Sequence, residues 1–316
     1  MISQKGNVYT SVPLTQISLK YNPGNFICEQ VAPTVQVAKD SGKIYSYGMD
    51  SLRIVNTYRA VGGKPNIVET TLSSADHYFL EDHVIGEFVP DEIIDNQEAP
   101  IQARINVVEA LTDKLYLDKE KSLADTLTNT SNITQNITLS GTSQFNDYSN
   151  SDPIAVISTA VATVRSGSGK MPNSMIVAWD VLQKLKYHPH IVDFFPGAPR
   201  ITDEMLESAV AQIFGLKQMF VGQAQYNNSN DGGNNNLADI WTKDMLIAYI
   251  EPTPTLMSRS LAFTYQKKAP RTVEELGIGK SLETLQRKSH YIQVSDKYDQ
   301  VLVDEKCAYL IKFAIA

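Results

Sequence analysis

The feature that most constrains this chain is a long amphipathic stretch at residues 99–128. Its apolar residues recur close to the 3.6-residue period of an α-helix, at Ile101, Ile105, Val108, Leu111, Leu115, Leu123 and Leu127. Pro100 suits the first turn of such a helix. At ~1.5 Å per residue the helix would span roughly 40 Å, which is long for a globular protein. No helical repeat accompanies it, so we expect one long helix and no solenoid.

Two segments before this helix lack the residues for a core of their own. Residues 1–42 are punctuated by prolines and alternate with period two in "VAPTVQV", so we predict an extended arm. Residues 43–73 predict a long two-stranded hairpin, with strands in "KIYSYGMDSLRIV" and "NIVETTLSS" and a tip at Gly62 and Gly63. A lone hairpin is marginal in water. Both segments must therefore lie on the rest of the chain or on a neighbour.

The pattern from residue 152 onward is typical of an α/β domain. Helices are predicted over 153–165, in "DVLQKLKYH" and in "TDEMLESAVAQIFG". Strands are predicted in "SMIVAW", "KQMFVGQAQY", "DMLIAYIE" and "LAFTYQ". The Asn- and Gly-rich run at 227–236 predicts an exposed loop. The last thirty residues return to strands, and the first of these carries a predicted turn at 296–299.

The motifs that would support catalysis are weak. "VRSGSGKMP" resembles a phosphate-binding loop, but Val164 stands where the first glycine belongs and Met171 where a hydroxyl should reach magnesium. The run also follows a predicted helix and precedes a strand, the reverse of the functional order, so it is better read as a helix C-cap. "HPH" at 188–190 could offer two metal ligands, and a helix end stopped by Pro189 is the simpler interpretation. We predict no catalytic, metal or cofactor site.

Charge and cysteine content exclude further classes of protein. The net charge of −7 argues against a dedicated nucleic-acid binder, which would show a basic stripe. Cys28 and Cys307 cannot form a disulfide scaffold, and reduced thiols in a cytosolic compartment are the better expectation. The first residues lack the apolar core of a signal peptide, and no run is long and apolar enough to span a membrane.

The order of these segments resembles the major capsid proteins of tailed bacteriophages, the Hong Kong 97-type fold. "NFICEQVAPTVQVAKDSGKIYSYG" is similar to the family's arm entering its extended loop, and "YRAVGGKPNIVE" to the tip and return of that loop. "INVVEALTDKLYLDKEKSLADTL" is similar to the spine helix, and "HYIQVSDKYDQVLVDEKCAYLIKFAIA" to the final strands. The resemblance covers essentially the whole chain and is one of layout more than of fixed motif.

The resemblance implies an α+β fold divided in the family's manner. The expected parts are an N-terminal arm at 1–42, an extended loop at 43–73, a peripheral domain at 74–151 with the spine helix at about 99–128, an axial domain at 152–285, and C-terminal strands at 286–316 that return to the peripheral domain. Some family members begin with a helical scaffolding segment that is removed. This chain starts with the arm, so we expect a mature form or a separate scaffold.

The resemblance also implies a function, which is self-assembly into pentamers and hexamers that tile an icosahedral shell around double-stranded DNA. Expected partners are further copies of the chain, a portal protein, and scaffold or decoration proteins, with non-specific contact to DNA and none to a membrane. The virion is the expected location, after synthesis in the host cytoplasm. Expected contacts between subunits are Tyr58, Arg59, Val61 and Lys64 at the loop tip, and Phe26, Val31 and Val35 in the arm. An encapsulin-like compartment shell and a soluble α/β enzyme are the alternatives.

Overall fold

The computed structural model describes residues 4–5, 8–21, 24–47, 52–67, 72–73, 77–96, 100–195, 201–229, 234–255, 257–277 and 279–316. The helices are α1 (Val12–Lys20), α2 (Cys28–Val31), α3 (Asp91–Asp95), α4 (Pro100–Leu127), α5 (Pro153–Ser168), α6 (Trp179–Lys186), α7 (Pro189–Val192), α8 (Asp203–Phe214) and α9 (Leu282–Arg287). The first nine strands are β1 (Gln4–Lys5), β2 (Val8–Thr10), β3 (Thr34–Gln36), β4 (Ser41–Lys43), β5 (Ser46–Tyr47), β6 (Leu72–Ser73), β7 (His77–Phe79), β8 (Glu81–Pro90) and β9 (Asn136–Thr138). The remaining strands are β10 (Ser174–Ala178), β11 (Gln218–Gly222), β12 (Gln225–Asn227), β13 (Leu237–Asp239), β14 (Met245–Ala248), β15 (Ala262–Leu276), β16 (Ser289–Leu302) and β17 (Ala308–Lys312).

Two sheets organise the chain. One has the strand order β1-β2-β15-β16-β8, with β3 pairing in parallel to the far end of β15. The other is mixed and has the order β11-β10-β14-β17-β9. Every residue of its central strands β10 and β14 is buried, as expected for strands covered on both faces. The fold is therefore a mixed α+β fold with one sheet for each of two main cores.

The long helix predicted from the sequence is present as α4, and it serves both cores. Val108 and Leu111 in its first half pack into the core of the first sheet, together with Leu14 of α1. Leu123 and Leu127 in its second half pack into the core of the second sheet. Because one rigid helix contributes to both cores, it fixes how the two sheets are placed relative to one another.

The N-terminal segment is not extended throughout, which corrects the prediction for residues 1–42. It contains α1, a nine-residue helix with Pro13 in its first turn, and the short helix α2. Proline fixes the backbone angle that a first helical turn needs, so a proline read as a sign of extended chain here begins a helix. The segment packs on α4 and β15 of its own chain.

The long hairpin predicted at 43–73 is also only partly present. Two short antiparallel pairs, β4 with β7 and β5 with β6, bring its ends together. Residues 52–67 form no strand, although the alternating sequence predicted strands that continue toward the tip. The parts of the predicted strands at 48–51 and 68–71 lie outside the described residues. A strand pair with no sheet or core beneath it gains little stability in water, which accounts for the absence of strands within 52–67.

The turn predicted at 296–299 is wrong, because β16 runs unbroken through these residues. Asp296 is buried and accepts a 3.0 Å hydrogen bond from Nη2 of Arg271 on β15. Lys297 Nζ lies 3.5 Å from the Asp40 carboxylate. Asp296 and Lys297, which resemble turn residues, therefore meet charged partners within or beside the sheet.

The predicted domain boundaries do not coincide with the division of the strands between the two sheets. Residues 262–276 were predicted within the axial domain, but they form β15 in the first sheet, paired along their length with β16. The last strand β17, which was predicted to return to the peripheral domain, lies in the second sheet between β14 and β9, and β9 falls within the predicted peripheral range 74–151. All-apolar "LI" at 310–311 is fully buried there, as suits an interior strand.

A buried carboxylate marks the junction of the two halves. Glu120 of α4 is fully buried, and its Oε2 accepts hydrogen bonds from the backbone N–H groups of Ile27, at 3.0 Å, and Cys28, at 2.7 Å. Its Oε1 accepts from Nε1 of Trp241, in the α/β region. Burial raises the pKa of Glu120, and the donors from Trp241, Cys28 and Ile27 oppose that rise. One side chain thus joins the N-terminal segment, α4 and the connection between β13 and β14.

Replacing Glu120 with glutamine tests this junction. Glutamine keeps the shape but turns an amide N–H2 toward N–H donors, which leaves buried donors without an acceptor. We expect Glu120→Gln to lower the free energy of unfolding by roughly 2 kcal/mol, measured by urea denaturation of the unassembled subunit. The control Asp125→Asn changes a carboxylate on the exposed face of the same helix and should stay within about 0.5 kcal/mol of wild type. Equal losses in the two variants would contradict the assignment.

A second buried polar group holds a corner of the α/β region. His188 is fully buried at the N-terminus of α7, and its Nδ1 accepts from the backbone N–H of His190 at 3.3 Å. Its Nε2 lies 3.0 Å from Ser151 Oγ, and that hydroxyl donates to the Asp147 carbonyl. His188 is therefore neutral, with its proton on Nε2. A second proton on Nδ1 would break the hydrogen bond that Nδ1 accepts from the backbone N–H of His190.

This geometry predicts a pH dependence of stability. Burial and the neighbouring His190 lower the pKa of His188, and Asp152 opposes them. Because the unfolded chain then binds a proton more readily than the folded chain, the free energy of unfolding should fall as the pH drops below about 6.5. In His188→Asn, the amide oxygen can still accept from residue 190 but does not titrate, so thermal melts from pH 7 to 5 should show a weaker dependence. The exposed control His77→Asn should keep the wild-type dependence, and a His188→Asn chain that does the same would refute the prediction.

Candidate assembly surfaces

Residues 52–67 form an exposed excursion from the body of the chain. The side chains of Ile54, Tyr58 and Val61 have exposed fractions of 98%, 80% and 107%. Local hydrogen bonds shape the tip: Tyr58 N donates to Asn56 Oδ1 at 3.0 Å, and Gly63 N donates to the Ala60 carbonyl at 2.9 Å. The structure therefore brings the four predicted tip residues Tyr58, Arg59, Val61 and Lys64 together on one exposed turn.

The composition of this excursion suits a contact surface. Tyrosine and arginine are the residue types that most often anchor interfaces. Burying one large apolar side chain stabilises a complex by about 1.5–3 kcal/mol before the losses of ordering. Ile54 and Ile67, with exposed fractions of 98% and 88%, add to the apolar surface and were not among the predicted residues. Their place on either side of the Gly62–Gly63 turn is the signal that could have found them.

The arm residues behave differently from the prediction. Val31 has an exposed fraction of 0% and Val35 of 3%, and each lies in a core of its own chain. Their assignment as contacts with a neighbouring subunit is therefore wrong, because the segment that carries them docks on its own α4 and β15. Their apolar alternation indicated burial correctly but could not distinguish the chain itself from a neighbour.

Phe26 remains available for contact. Its ring is half-buried and stacks on Tyr116 of α4, with ring centroids 6.0 Å apart. It lines an open cavity of about 510 Å³, together with Tyr21, Asp113 and Leu117. Asp113 accepts a 3.0 Å hydrogen bond from the Tyr21 hydroxyl through Oδ2. The cavity is a groove between the arm and α4, with one carboxylate at its side.

The side chains considered for catalysis have structural roles. In the "HPH" run, His188 is the N-cap of α7 and Pro189 is its first residue. The run follows the end of α6 at Lys186. Across the described ranges, no three histidine, cysteine or acidic side chains converge as metal ligands. Burial raises the pKa of the Cys307 thiol to about 12, so the thiol stays protonated at neutral pH. No helix within the described ranges has the length and apolarity to cross a membrane.

The phosphate-loop look-alike also has a structural role. Gly169 ends α5 in the left-handed backbone conformation, with φ of 70°. The ammonium group of Lys170 lies 5.2 Å from the centroid of the Tyr249 ring, a cation–π contact. This stretch is therefore the helix C-cap that the sequence order indicated.

Two curated proteins are similar to this chain in sequence. The major capsid protein of Burkholderia phage BcepMu is 26% identical over 272 residues, which cover 83% of this chain and 84% of the relative. The major capsid protein of Pseudomonas phage JBD67 is 29% identical over 233 residues, which cover 72% and 73%. No protein-family model matches the chain.

Solved structures share the fold. A phage-related protein from Bordetella bronchiseptica has a TM-score of 0.76 at 22% identity, covering 96% of this chain and 97% of its own. The capsid structure of cyanophage P-SCSP1u has a TM-score of 0.57 at 11% identity, covering 93% and 89%. At these identities the structures support the mixed α+β fold alone. In sequence, this chain is similar to the major capsid proteins of two phages, which confirms the resemblance drawn from its residues.

Proposed function

We propose that this chain is the major capsid protein of a tailed bacteriophage and that its copies assemble into the virion shell. The observation that carries the proposal is the sequence similarity to two phage major capsid proteins, which spans 83% and 72% of this chain. The mixed α+β fold is compatible with the proposal, since a capsid structure with this fold overlaps 93% of the chain. The relatives are phage proteins, which favours a virion shell over an encapsulin-like compartment.

The exposed excursion at 52–67 is the part of the chain that we assign to assembly, as the extended loop of this capsid fold. It presents apolar side chains and an arginine on a turn that its own chain leaves uncovered. An exposed apolar cluster of this kind is typical of a protein–protein contact. A copy related by the symmetry of a closed shell would cover the same turn on every subunit.

The finer assembly is part of the same proposal. Rings of five and six subunits would tile an icosahedral shell around double-stranded DNA, with a portal protein and any scaffold or decoration proteins as further partners. A net charge of −7 suits a shell that meets DNA without reading its sequence, through a few local cations on the inner surface. The groove beside Phe26 is a second surface that a neighbouring copy could contact.

Replacing residues 57–66 with the two-residue turn Asn-Gly tests the assembly role. The shortened subunit should keep its circular dichroism spectrum and cooperative melt, because the replaced residues lie outside the cores. Shells should be absent in electron micrographs, and sedimentation should show small oligomers, under conditions where the wild-type chain forms shells.

A second variant separates the effect of the tip side chains on assembly from the effect of loop length. Tyr58, Arg59 and Val61 are all changed to serine with the segment otherwise intact. If these side chains anchor the contact, this triple variant should reproduce most of the assembly defect. Closed shells of normal stability from both variants would exclude the excursion as an assembly contact. Wild-type shells that hold no phage DNA in infected cells would favour the compartment alternative.

A further inference from the structure

Two helices of the α/β region end in the same way but in different surroundings. Gly169 ends α5 with φ of 70°, and Gly215 ends α8 with φ of 71°. Both angles lie in the left-handed region, so the backbone conformation by itself favours glycine at each position. A Cβ placed on Gly215 would meet no atom within 4 Å, whereas one on Gly169 would lie 2.5 Å from Cδ1 of Leu52. Only Gly169 carries a second constraint, which is the close approach of Leu52.

The end of α5 is a firm platform for that approach. The Ser168 carbonyl accepts a 2.9 Å hydrogen bond from Nη1 of Arg259, whose Nε is held by the Asp304 carboxylate. Ser168 Oγ donates to the Val164 carbonyl at 2.7 Å and accepts from the backbone N–H of Lys170 at 3.1 Å. The last carbonyl groups of a helix are otherwise without partners, so these contacts fix the cap.

Leu52 stands where the exposed excursion begins. Its own side chain has an exposed fraction of 60%, and every residue from 53 to 67 is exposed. Asn56 is held within the excursion itself, since its Oδ1 accepts from the backbone N–H of Tyr58 and its carbonyl accepts from Nδ2 of Asn66. Val61 at the tip is nine residues away, a reach of up to roughly 30 Å, so a tilt of about 10° at Leu52 would move the tip by about 5 Å.

We propose that Leu52 seated on Gly169 is a positioning contact that sets the direction in which residues 52–67 leave the α/β region. The absence of a side chain at residue 169 lets the leucine lie directly on the fixed cap of α5. The excursion is thereby presented to the neighbouring copy in a defined orientation. This inference rests on the proposed function, because it assumes that the excursion contacts another subunit.

The two glycines supply a matched experiment. Gly169→Ala and Gly215→Ala force a Cβ into the same backbone conformation, so both should lower the melting temperature of the unassembled subunit by similar amounts. Only Gly169→Ala also displaces Leu52. We expect its rate of shell assembly, followed by light scattering, to fall by at least about tenfold relative to Gly215→Ala, since tenfold corresponds to ~1.4 kcal/mol of a barrier.

Leu52→Ala tests the contact from the other side and does not depend on the stability of the cap. It should leave the melting temperature unchanged, because the side chain is largely exposed, and should slow assembly as Gly169→Ala does. The double variant Leu52→Ala with Gly169→Ala should assemble no worse than Gly169→Ala alone, because both changes remove one contact.

The outcomes separate this inference from the proposed function. Equal assembly defects in the two glycine variants would assign the effect to backbone strain and overturn the positioning contact. Wild-type assembly of Leu52→Ala, beside failure of the variant that lacks residues 57–66, would also overturn it but leave the proposed function standing. Normal assembly of the variant without residues 57–66 would exclude the excursion as an assembly contact, and with it the assumption on which this inference rests.

Discussion

The structure depends on the buried contact that Glu120 makes between α4, the N-terminal segment and Trp241. Apolar burial stabilises both cores but has no direction, so it cannot by itself fix how the two sheets are placed. A buried carboxylate is tolerated only where donors meet it, and here those donors come from two separate parts of the chain. Helix α4 therefore packs into one core with its first half and into the other with its second half. The hydrogen bonds of Glu120 fix its orientation relative to the N-terminal segment and Trp241.

That rigidity explains why one segment can remain exposed. The N-terminal segment packs on α4 and β15, and the buried His188 side chain has a hydrogen-bond partner at each ring nitrogen. Residues 52–67 are connected to this body through short strand pairs and the cap of α5. Among the described residues, an exposed excursion such as 52–67 on an otherwise packed body is an arrangement suited to a subunit that contacts neighbouring copies.

Much of the fold follows from the sequence, because its strongest signals are local. The apolar period that predicted α4 depends on residues close together in the chain. The predictions that were wrong concern residues whose partners are distant in the sequence. Asp296 resembles a turn residue until Arg271 is placed beside it, and Val31 resembles a free contact until its own core covers it. The tip residues could be predicted from their residue types. The positioning contact that we propose for Leu52 could not, because it depends on Gly169, which is distant in the sequence.

We expect the excursion at 52–67 to be exposed in the subunit and covered in the shell. The measurement that tests it most directly is maleimide labelling of a Val61→Cys variant, compared between unassembled subunits and assembled particles. Both native cysteines are buried, so label should go to residue 61 alone. We predict fast labelling of the subunit and a rate lower by more than about tenfold in the particle, as expected for a site protected by ~1.4 kcal/mol or more. Equal rates in the two states would contradict the account.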